Sequence, residues 1–453
     1  MKKMMLFTCF WALSIIAKAQ YFNDEIKALY QAAIQNNDTV KLYKIRKEIS
    51  AIDMQNARFS YLPRIRFGAT YTRLNDDIVF PDNLQQLLMG TQKLLIKEKI
   101  GMPFNAPLPA TVPLQPVEPI QQKNIFKENI SGEWLLFSGL KVKYALKAYQ
   151  HQQNSYQFLS EKQETKLWLD ISDAYDKLAL MYESDAIINS SEQVLIQQTK
   201  FVNAAIANGL ATPLERKKIE LAQQKLEVKK LENKTHKKIL LEKLHQLTSL
   251  PTDDLRRISA QITPAYFNTS ALPEERPELK ALNQGIEAKK VAEKVALTDY
   301  VPKLAAFGQY ELREKDLSLF DPKWAVGIKL QWNVFDGLNA RNNARKEALE
   351  RRSLEVQKNA AQEAIQLGYA KAKYDYELAT DKVALKNKEV KLTEDTYDFV
   401  QKQYHNGLTT ITELLNALND VEKAKFEMKQ SVYEQRRSAL QAADISGTLL
   451  QNL

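Results

Sequence analysis

Two short stretches of the sequence each contain an Asn-Gly-Leu triplet that is followed by a threonine and a glutamate. Residues 201–215 read FVNAAIANGLATPLE, and residues 403–418 read QYHNGLTTITELLNAL. In each stretch a helical pattern stops at an Asn-Gly-Leu triplet, and a second helical pattern follows at once. Glycine is the usual left-handed residue that ends a helix, so each triplet predicts a chain reversal between two helices. The residues of the two turns are Asn208, Gly209, Leu210, Asn406, Gly407 and Leu408.

The residues that follow each triplet favour the start of a new helix. Thr410 and Glu413 have the Thr-x-x-Glu spacing of a capping box. Thr212 and Glu215 have the same spacing, with Pro213 at the favoured first helical position. Helix capping therefore accounts for the glycines and the threonines of both stretches without any partner molecule.

Leu210 and Leu408 are the residues that capping leaves unexplained. A leucine at the tip of a helical hairpin has no capping role. An apolar side chain offered to water is typical of a surface that contacts another protein. We therefore expect both leucines to be exposed contact residues for a partner.

Catalytic and metal-binding motifs are absent from the sequence. His236 and His245 lie nine residues apart, so they do not share a helical face at the metal-binding spacing of four. The only cysteine, Cys9, lies in a segment that we expect to be removed, which excludes disulfides and thiolate chemistry. No nucleophile elbow, phosphate-binding glycine loop or His-Glu-x-x-His motif occurs. We therefore expect no enzyme, no metal and no cofactor, with surface roles for His151, His236, His245 and His405.

The first nineteen residues have the layout of a secretory signal peptide. Two lysines are followed by an apolar run over residues 4–16, and Ala17-Lys18-Ala19 forms a small-residue cleavage site. The formal net charge is +9, and it falls to +6 without the three lysines of this segment. Lysine and glutamate alternate in the rest of the chain, as in EALERRSLEVQK at residues 347–358. That pattern is typical of solvated helix faces, so we expect no nucleic-acid partner.

The mature chain contains two internal repeats, the first at residues 20–249 and the second at residues 250–453. YLPRIRFGATY at residue 61 matches YVPKLAAFGQY at residue 300, and Phe-Ser-Gly at residue 137 matches Phe-Asp-Gly at residue 335. Each repeat therefore predicts two extended segments, a long helix, a Gly-Leu turn and a returning helix. The first repeat has an insertion between its extended segments. We expect an extracellular loop at about residues 74–123, with a short amphipathic helix at residues 83–100 and a Pro-rich part.

Four segments alternate between apolar and polar residues as β-strands do. They lie at about residues 62–73, 124–137, 301–312 and 322–336. The clearest alternation places Trp324, Val326, Ile328, Leu330, Trp332 and Val334 on one face. Runs of this length suit tilted strands that cross a bilayer, apolar towards lipid and polar towards a lumen. The alternative is a half-buried sheet in a soluble protein.

The rest of the chain is helical. Gly139 and Gly209 are 70 residues apart, as are Gly337 and Gly407, with no proline between them. At 1.5 Å rise per residue each run could reach about 100 Å. Apolar residues recur at coiled-coil spacing, so these helices must pack laterally. The seam residues are Leu167, Ile171, Ala174, Leu178 and Met181 in the first repeat, and Leu414, Ala417 or Leu418, and Val421 in the second.

Four strands cannot close a barrel by themselves. Membrane barrels have about eight strands or more, because an open edge in lipid leaves backbone groups without hydrogen bonds. Several copies must therefore contribute strands. The predicted fold class is mainly α with a transmembrane β-barrel part, in which long antiparallel coiled-coil helices form a hollow oligomer below the barrel.

Along essentially its whole mature length, the chain resembles the TolC-type outer-membrane efflux proteins. The features that carry the resemblance are the repeat, the Tyr-x-Pro strand entries at residues 61 and 300, the Phe-x-Gly exits and the two Gly-Leu turns. The resemblance implies a homotrimer with a twelve-stranded barrel in the outer membrane of a Gram-negative bacterium and an α-helical tunnel in the periplasm. It also implies contacts with outer-membrane lipid, with a periplasmic adaptor protein at the hairpin tips and, through the adaptor, with an inner-membrane transporter.

The resemblance further implies a ring of acidic residues that narrows the periplasmic entrance. The positions six and nine residues after Gly407 are Glu413 and Asn416. Half of the expected acidic charge is therefore missing. Glu413 has two interpretations, as a gate residue and as the capping glutamate of the helix, and the two can coexist.

The predicted function is a passive channel that exports small molecules for a tripartite efflux system. An outer-membrane duct for a type I protein secretion system is the alternative within the same family, because the lumen does not encode its cargo. A periplasmic coiled-coil scaffold is the alternative from a different class. The inserted loop at residues 81–119 also leaves a plugging or recognition role open.

Overall fold

The computed structural model describes residues 23–269, 276–313, 318 and 321–449. The predicted signal peptide at residues 1–19 lies outside the described residues. The chain divides into two compact units. The helical unit contains Met1–Ser50, His151–Glu287 and Arg351–Leu453, and the strand unit contains Ala51–Gln150 and Ala288–Glu350.

The strand unit is built on one antiparallel sheet with the order β1-β2-β3-β4. The strands are β1 at Arg64–Arg73, β2 at Asn124–Phe137, β3 at Lys303–Glu311 and β4 at Trp324–Gln331. Each lies within a segment whose alternation predicts a strand. β1 and β4 each pair on one side only, so both long edges of the sheet are open.

The prediction for the fourth strand extends too far. It runs to residue 336, with Trp332 and Val334 in the alternation, whereas β4 ends at Gln331. The last residue pair of the ladder joins Lys303 to Gln331. The preceding residue of the partner strand is Pro302, which has no amide hydrogen to continue the ladder.

A repeated corner follows the last strand of each pair. The Trp134 indole donates to the Tyr61 carbonyl at 2.8 Å, and the Tyr61 hydroxyl lies 2.8 Å from the Ser138 hydroxyl. In the second repeat, Trp332 donates to the Tyr300 carbonyl at 3.0 Å. These contacts fix the direction in which the chain leaves the sheet.

The helix after each corner begins with a side-chain cap. Ser138 accepts from the Val142 amide at 3.3 Å, and Asp336 accepts from the Ala340 amide at 2.7 Å. Gly139, which follows Ser138, has φ +64°, and a Cβ there would lie 3.1 Å from Val301. The Phe-x-Gly exits of the sequence are therefore helix starts whose glycines, Gly139 and Gly337, adopt the left-handed conformation, and at Gly139 the close approach of Val301 also requires a residue without a Cβ.

The helices that follow repeat the same lengths. α4 at Lys141–Ala207 and α8 at Asn339–His405 each have 67 residues, and the returning helices are α5 at Pro213–Thr248 and α9 at Ile411–Ile445. Among the described helices, none is long and apolar enough to cross a membrane. The shorter helices are α1 at Asp24–Asn36, α2 at Asp38–Phe59, α3 at Asp82–Lys99, α6 at Thr252–Leu255 and α7 at Pro277–Leu297.

The helical unit has two apolar cores. One lies around Tyr175 and Leu178 of α4, with Tyr30 of α1 stacked on Trp168 at 3.9 Å between ring centres. The second lies near the two turns at the ends of α4 and α8. The predicted seam residues Leu167, Ile171, Ala174, Leu178, Leu414, Ala417 and Val421 are buried, and Met181 and Leu418 are half-buried.

Candidate functional site: the paired hairpin tips

Both Asn-Gly-Leu triplets form the chain reversals that the sequence predicts. Gly209 and Gly407 each have φ +71°. The Leu210 amide donates to the Ala205 carbonyl at 2.8 Å, and the Leu408 amide donates to Gln403 at 2.9 Å. These are the long bonds of a Schellman motif, in which glycine adopts the left-handed conformation and ends the helix.

The predicted capping box forms in part at the second turn. The Thr410 hydroxyl accepts from the Glu413 amide at 3.3 Å. Within the described residues, the Glu413 carboxylate makes no return hydrogen bond to the Thr410 amide, so its charge is not used in capping. Glu413 and Asn416 are both exposed, three residues apart on one face of α9.

The corresponding prediction at the first turn is wrong. The Thr212 hydroxyl makes no capping hydrogen bond, and the Glu215 amide donates to the Thr212 carbonyl at 3.0 Å. The Glu215 carboxylate instead accepts from the Tyr404 hydroxyl at 2.6 Å. A partner from the other hairpin therefore takes the place of the reciprocal cap, and Pro213 still occupies the first turn of α5.

The structure brings the two turns together. The Phe201 ring lies 4.4 Å from the His405 ring, and Lys218 donates to the Thr412 hydroxyl at 2.7 Å. Burial raises the pKa of Tyr404, and the adjacent Glu215 carboxylate raises it further, so the phenol is a stable donor to Glu215. Beneath these contacts lies an apolar core that includes Val202, Ile219, Ile411 and Leu414.

The contact between the two turns could not be predicted from the sequence. Tyr404 and Glu215 are 189 residues apart, and the repeat places Ile206 where the second turn has Tyr404. Two hairpins that match internally need not touch each other. The contact depends on how the helices pack, which the repeat alone does not specify.

The two tip leucines are exposed as expected. Leu210 is 82% exposed and Leu408 is 75% exposed, although both lie beside a well-packed core. Each is held on a fixed turn, so each presents an apolar side chain at a defined place. The arrangement can bind an apolar surface, but it supplies no nucleophile or proton relay.

The histidines have structural environments. His151 lies 2.8 Å from the Gln284 side chain, and His245 lies 2.6 Å from the Leu250 carbonyl. His405 packs on Phe201. In the part of the chain that the structure describes, no group of three or more histidine, cysteine or acidic residues could hold a metal ion.

Comparisons with known proteins identify a family that part of the chain resembles. Residues 269–448 match the family model described as outer membrane efflux protein. A comparison with curated proteins finds no relative by sequence. The family match bears out the predicted resemblance over this part of the chain, and the family's description places its members in the outer membrane.

Solved structures of outer-membrane proteins share the fold. The Vibrio cholerae outer membrane protein VceC aligns at a TM-score of 0.71 with 14% identity, covering 93% of this chain and 96% of VceC. The Campylobacter jejuni outer membrane channel CmeC aligns at 0.70 with 15% identity, covering 95% and 87%. A Pseudomonas aeruginosa membrane protein aligns at 0.73 with 14% identity, covering 94% of each chain. The mainly helical fold with long helical hairpins and a four-stranded antiparallel sheet is confirmed.

Proposed function

We propose that the chain is the protomer of a homotrimeric outer-membrane channel in a tripartite efflux system. Three copies would form a twelve-stranded barrel and a helical periplasmic tunnel, through which small molecules leave the cell. The channel is passive, and an inner-membrane transporter supplies the driving force. A periplasmic adaptor protein joins the two.

The open edges of the sheet carry this proposal. β1 and β4 each leave one row of backbone groups unpaired, and such groups cost several kcal/mol each in a bilayer. Because the strands are antiparallel and four in number, β4 of one copy can pair antiparallel with β1 of the next. A closed membrane barrel needs about eight strands or more, and three copies with four strands each exceed that number.

The apolar face of the sheet supports a location in lipid. Val326, Ile328 and Leu330 of β4 are 72%, 69% and 65% exposed. They lie on one face of the strand, with Gly327 and Lys329 on the other. An exposed apolar face of this kind is costly in water but favourable against acyl chains.

Unpartnered stripes on the long helices support association of copies. Along α8, exposed apolar residues recur every seven positions, and along α5 a second stripe has the same spacing. A seven-residue repeat is the pattern of a helix that packs along another helix. The stripes are Leu378, Leu385, Leu392 and Phe399 on α8, and Leu214, Leu221 and Val228 on α5.

The hairpin tips would serve as the docking site for the adaptor. Leu210 and Leu408 supply its apolar contacts, and Asn208, Gly209, Asn406 and Gly407 fix the turns that present them. Glu413 and Asn416 would line the periplasmic entrance. Since the Glu413 carboxylate takes no part in capping, three copies would place three uncompensated carboxylates close together.

Recording from planar lipid bilayers tests the channel and its entrance together. The purified protein should open stepwise channels. Glu413→Ala should raise the single-channel conductance, because it removes bulk and like charge from the narrowest part of the entrance. Glu220→Ala on α5 is the matched control, since that exposed carboxylate is already paired with Lys217.

Two results would contradict the proposal. A periplasmic scaffold would be recovered in the soluble fraction and would give no channels. Channels whose conductance is the same in the parent and in Glu413→Ala, at neutral and at acid pH, would remove Glu413 from the gate.

A further inference from the structure

The sheet of the strand unit has two chemically different faces. On β1, Phe67 lies on the face that its cross-strand partner Ile130 shares, and Arg66 lies on the opposite face with Ser131. In a membrane barrel the apolar face contacts lipid and the polar face lines the lumen. The lumen face is therefore the one that carries Arg66.

Strand register identifies the charged residues of the lumen face. Pairing carries that face from β1 through β2 and β3 to β4. In the four described strands it holds five basic and two acidic residues. The basic residues are Arg64, Arg66, Lys127, Lys303 and Lys329, and the acidic residues are Glu133 and Glu311.

Two of the basic residues have acidic partners outside the strands. The Lys127 ammonium lies 2.6 Å from the Asp321 carboxylate. The Lys303 ammonium lies 3.2 Å from the Asp299 carboxylate. The Lys127 charge is therefore compensated locally, and the Lys303 charge in part, because Asp299 also lies 3.1 Å from Lys141.

The acidic residues of the lumen face are also accounted for. Glu133 is the direct cross-strand partner of Arg64, a position at which opposite charges attract. Glu311 is 6% exposed, and its carboxylate accepts from the Gln309 amide at 2.6 Å. Neither lies directly across the ladder from the two basic residues that are left.

Arg66 and Lys329 are the remaining basic residues. Arg66 pairs with Ser131, and Lys329 pairs with Ala305, so neither faces an acidic residue across the ladder. Both side chains are exposed, and no hydrogen bond or ion pair joins either of them to another described residue. Each copy thus presents two uncompensated positive charges on the lumen face.

We infer that the barrel lumen favours anionic solutes, with Arg66 and Lys329 as the residues that set this preference. The inference rests on the proposed trimeric barrel, in which three copies place six such charges around one lumen. A passage lined by one sign of charge raises the local concentration of counter-ions. The expected cargo class is therefore organic anions, such as carboxylates, sulfonates or phosphates.

Reversal potentials in planar bilayers test this inference. A KCl gradient with about 10 mM on the dilute side keeps the Debye length near 30 Å, so lumen charges are felt by passing ions. The parent channel, the neutralised variant Arg66→Gln with Lys329→Gln, and the charge-retaining variant Arg66→Lys with Lys329→Arg are compared. The neutralised variant should reverse closer to the potassium equilibrium potential, and the charge-retaining variant should match the parent.

A second readout is the salt dependence of the parent channel. The contribution of Arg66 and Lys329 to its reversal potential should shrink at about 1 M KCl, where the Debye length is about 3 Å. Because the Glu413 carboxylates at the entrance also affect selectivity, the test compares the parent with the neutralised variant: equal reversal potentials in the two overturn the inference and leave the channel intact. Absence of any channel overturns the proposed function and the inference with it.

Discussion

Among single residues, Asp176 and Arg436 of the helical unit form a buried ion pair, which is stable only if the two charges compensate each other. The two side chains are 2% and 5% exposed, and the Arg436 guanidinium donates to Asp176 at 2.7 Å. Burial raises the pKa of Asp176 to about 6, and Arg436 opposes that rise. The pair therefore ties α4 to α9 only while each partner neutralises the other.

Replacing Arg436 should show how strongly the stability of the folded state depends on compensation of the Asp176 charge. Arg436→Leu leaves a buried carboxylate without its counter-charge, which costs roughly 3–5 kcal/mol. The pKa of Asp176 then rises further, so the folded state takes up a proton more readily than the unfolded state. The loss of stability should be greatest near pH 8 and shrink as the pH falls to 5.

Thermal melting of the detergent-purified protein across this pH range measures the effect. The matched control is Arg256→Leu, which removes an arginine that is paired with Asp253 at 2.7 Å but largely exposed. It should change the melting temperature little at any pH. A deficit in Arg436→Leu that is the same at pH 5 and pH 8 would refute the role given to Asp176.

At the scale of elements, the two helical hairpins act as one tip. Tyr404 of α8 donates to Glu215 of α5, and Lys218 of α5 donates to Thr412 of α9. These contacts hold Leu210 and Leu408 on neighbouring turns of the same unit. A partner would therefore meet both leucines on one surface.

Introducing negative charge at the tips should abolish docking without unfolding the chain. Leu210→Asp with Leu408→Asp replaces two exposed side chains, so the melting temperature should change by little. Cells that depend on this channel should become susceptible to its exported compounds, and chemical crosslinking to the adaptor should be lost. The control is Leu87→Asp, another largely exposed leucine, on α3. Normal resistance in the tip variant would show that the leucines are not the docking contacts.

The elements also show which features could be predicted from sequence. Period-two alternation and the internal repeat place all four strands and the two long hairpins, because those patterns reflect which face each residue must show to lipid, core or water. Contacts between the repeats could not be predicted, as at Tyr404 and Glu215. The end of β4 at Gln331 depends on Pro302 in the neighbouring strand, which alternation within one segment cannot reveal.

The repeated corners show the same limit. Phe-x-Gly is visible in the sequence, but the bonds from Trp134 and Trp332 to the tyrosine carbonyls are not. The two tryptophans are 198 residues apart, the same offset that relates the Phe-x-Gly exits. A comparison of the repeats at that offset could have found them as a matched pair.

For the whole molecule, we propose that three copies close one barrel. The open edges of β1 and β4, the apolar face of the sheet and the stripes on α5 and α8 all require other copies. A single copy would leave each of these surfaces exposed. The proposed lumen charge and gate would both depend on this closure.

The mass of the particle extracted from outer membranes tests this trimer. Native mass spectrometry in detergent should give three times the mass of the chain, which is 52.0 kDa including the predicted signal peptide. Variants with charges in the α8 stripe, such as Leu385→Lys with Leu392→Lys, should reduce the share of this particle. A monomer or dimer as the main species from the parent, or recovery of the parent in the soluble periplasmic fraction, would contradict the account.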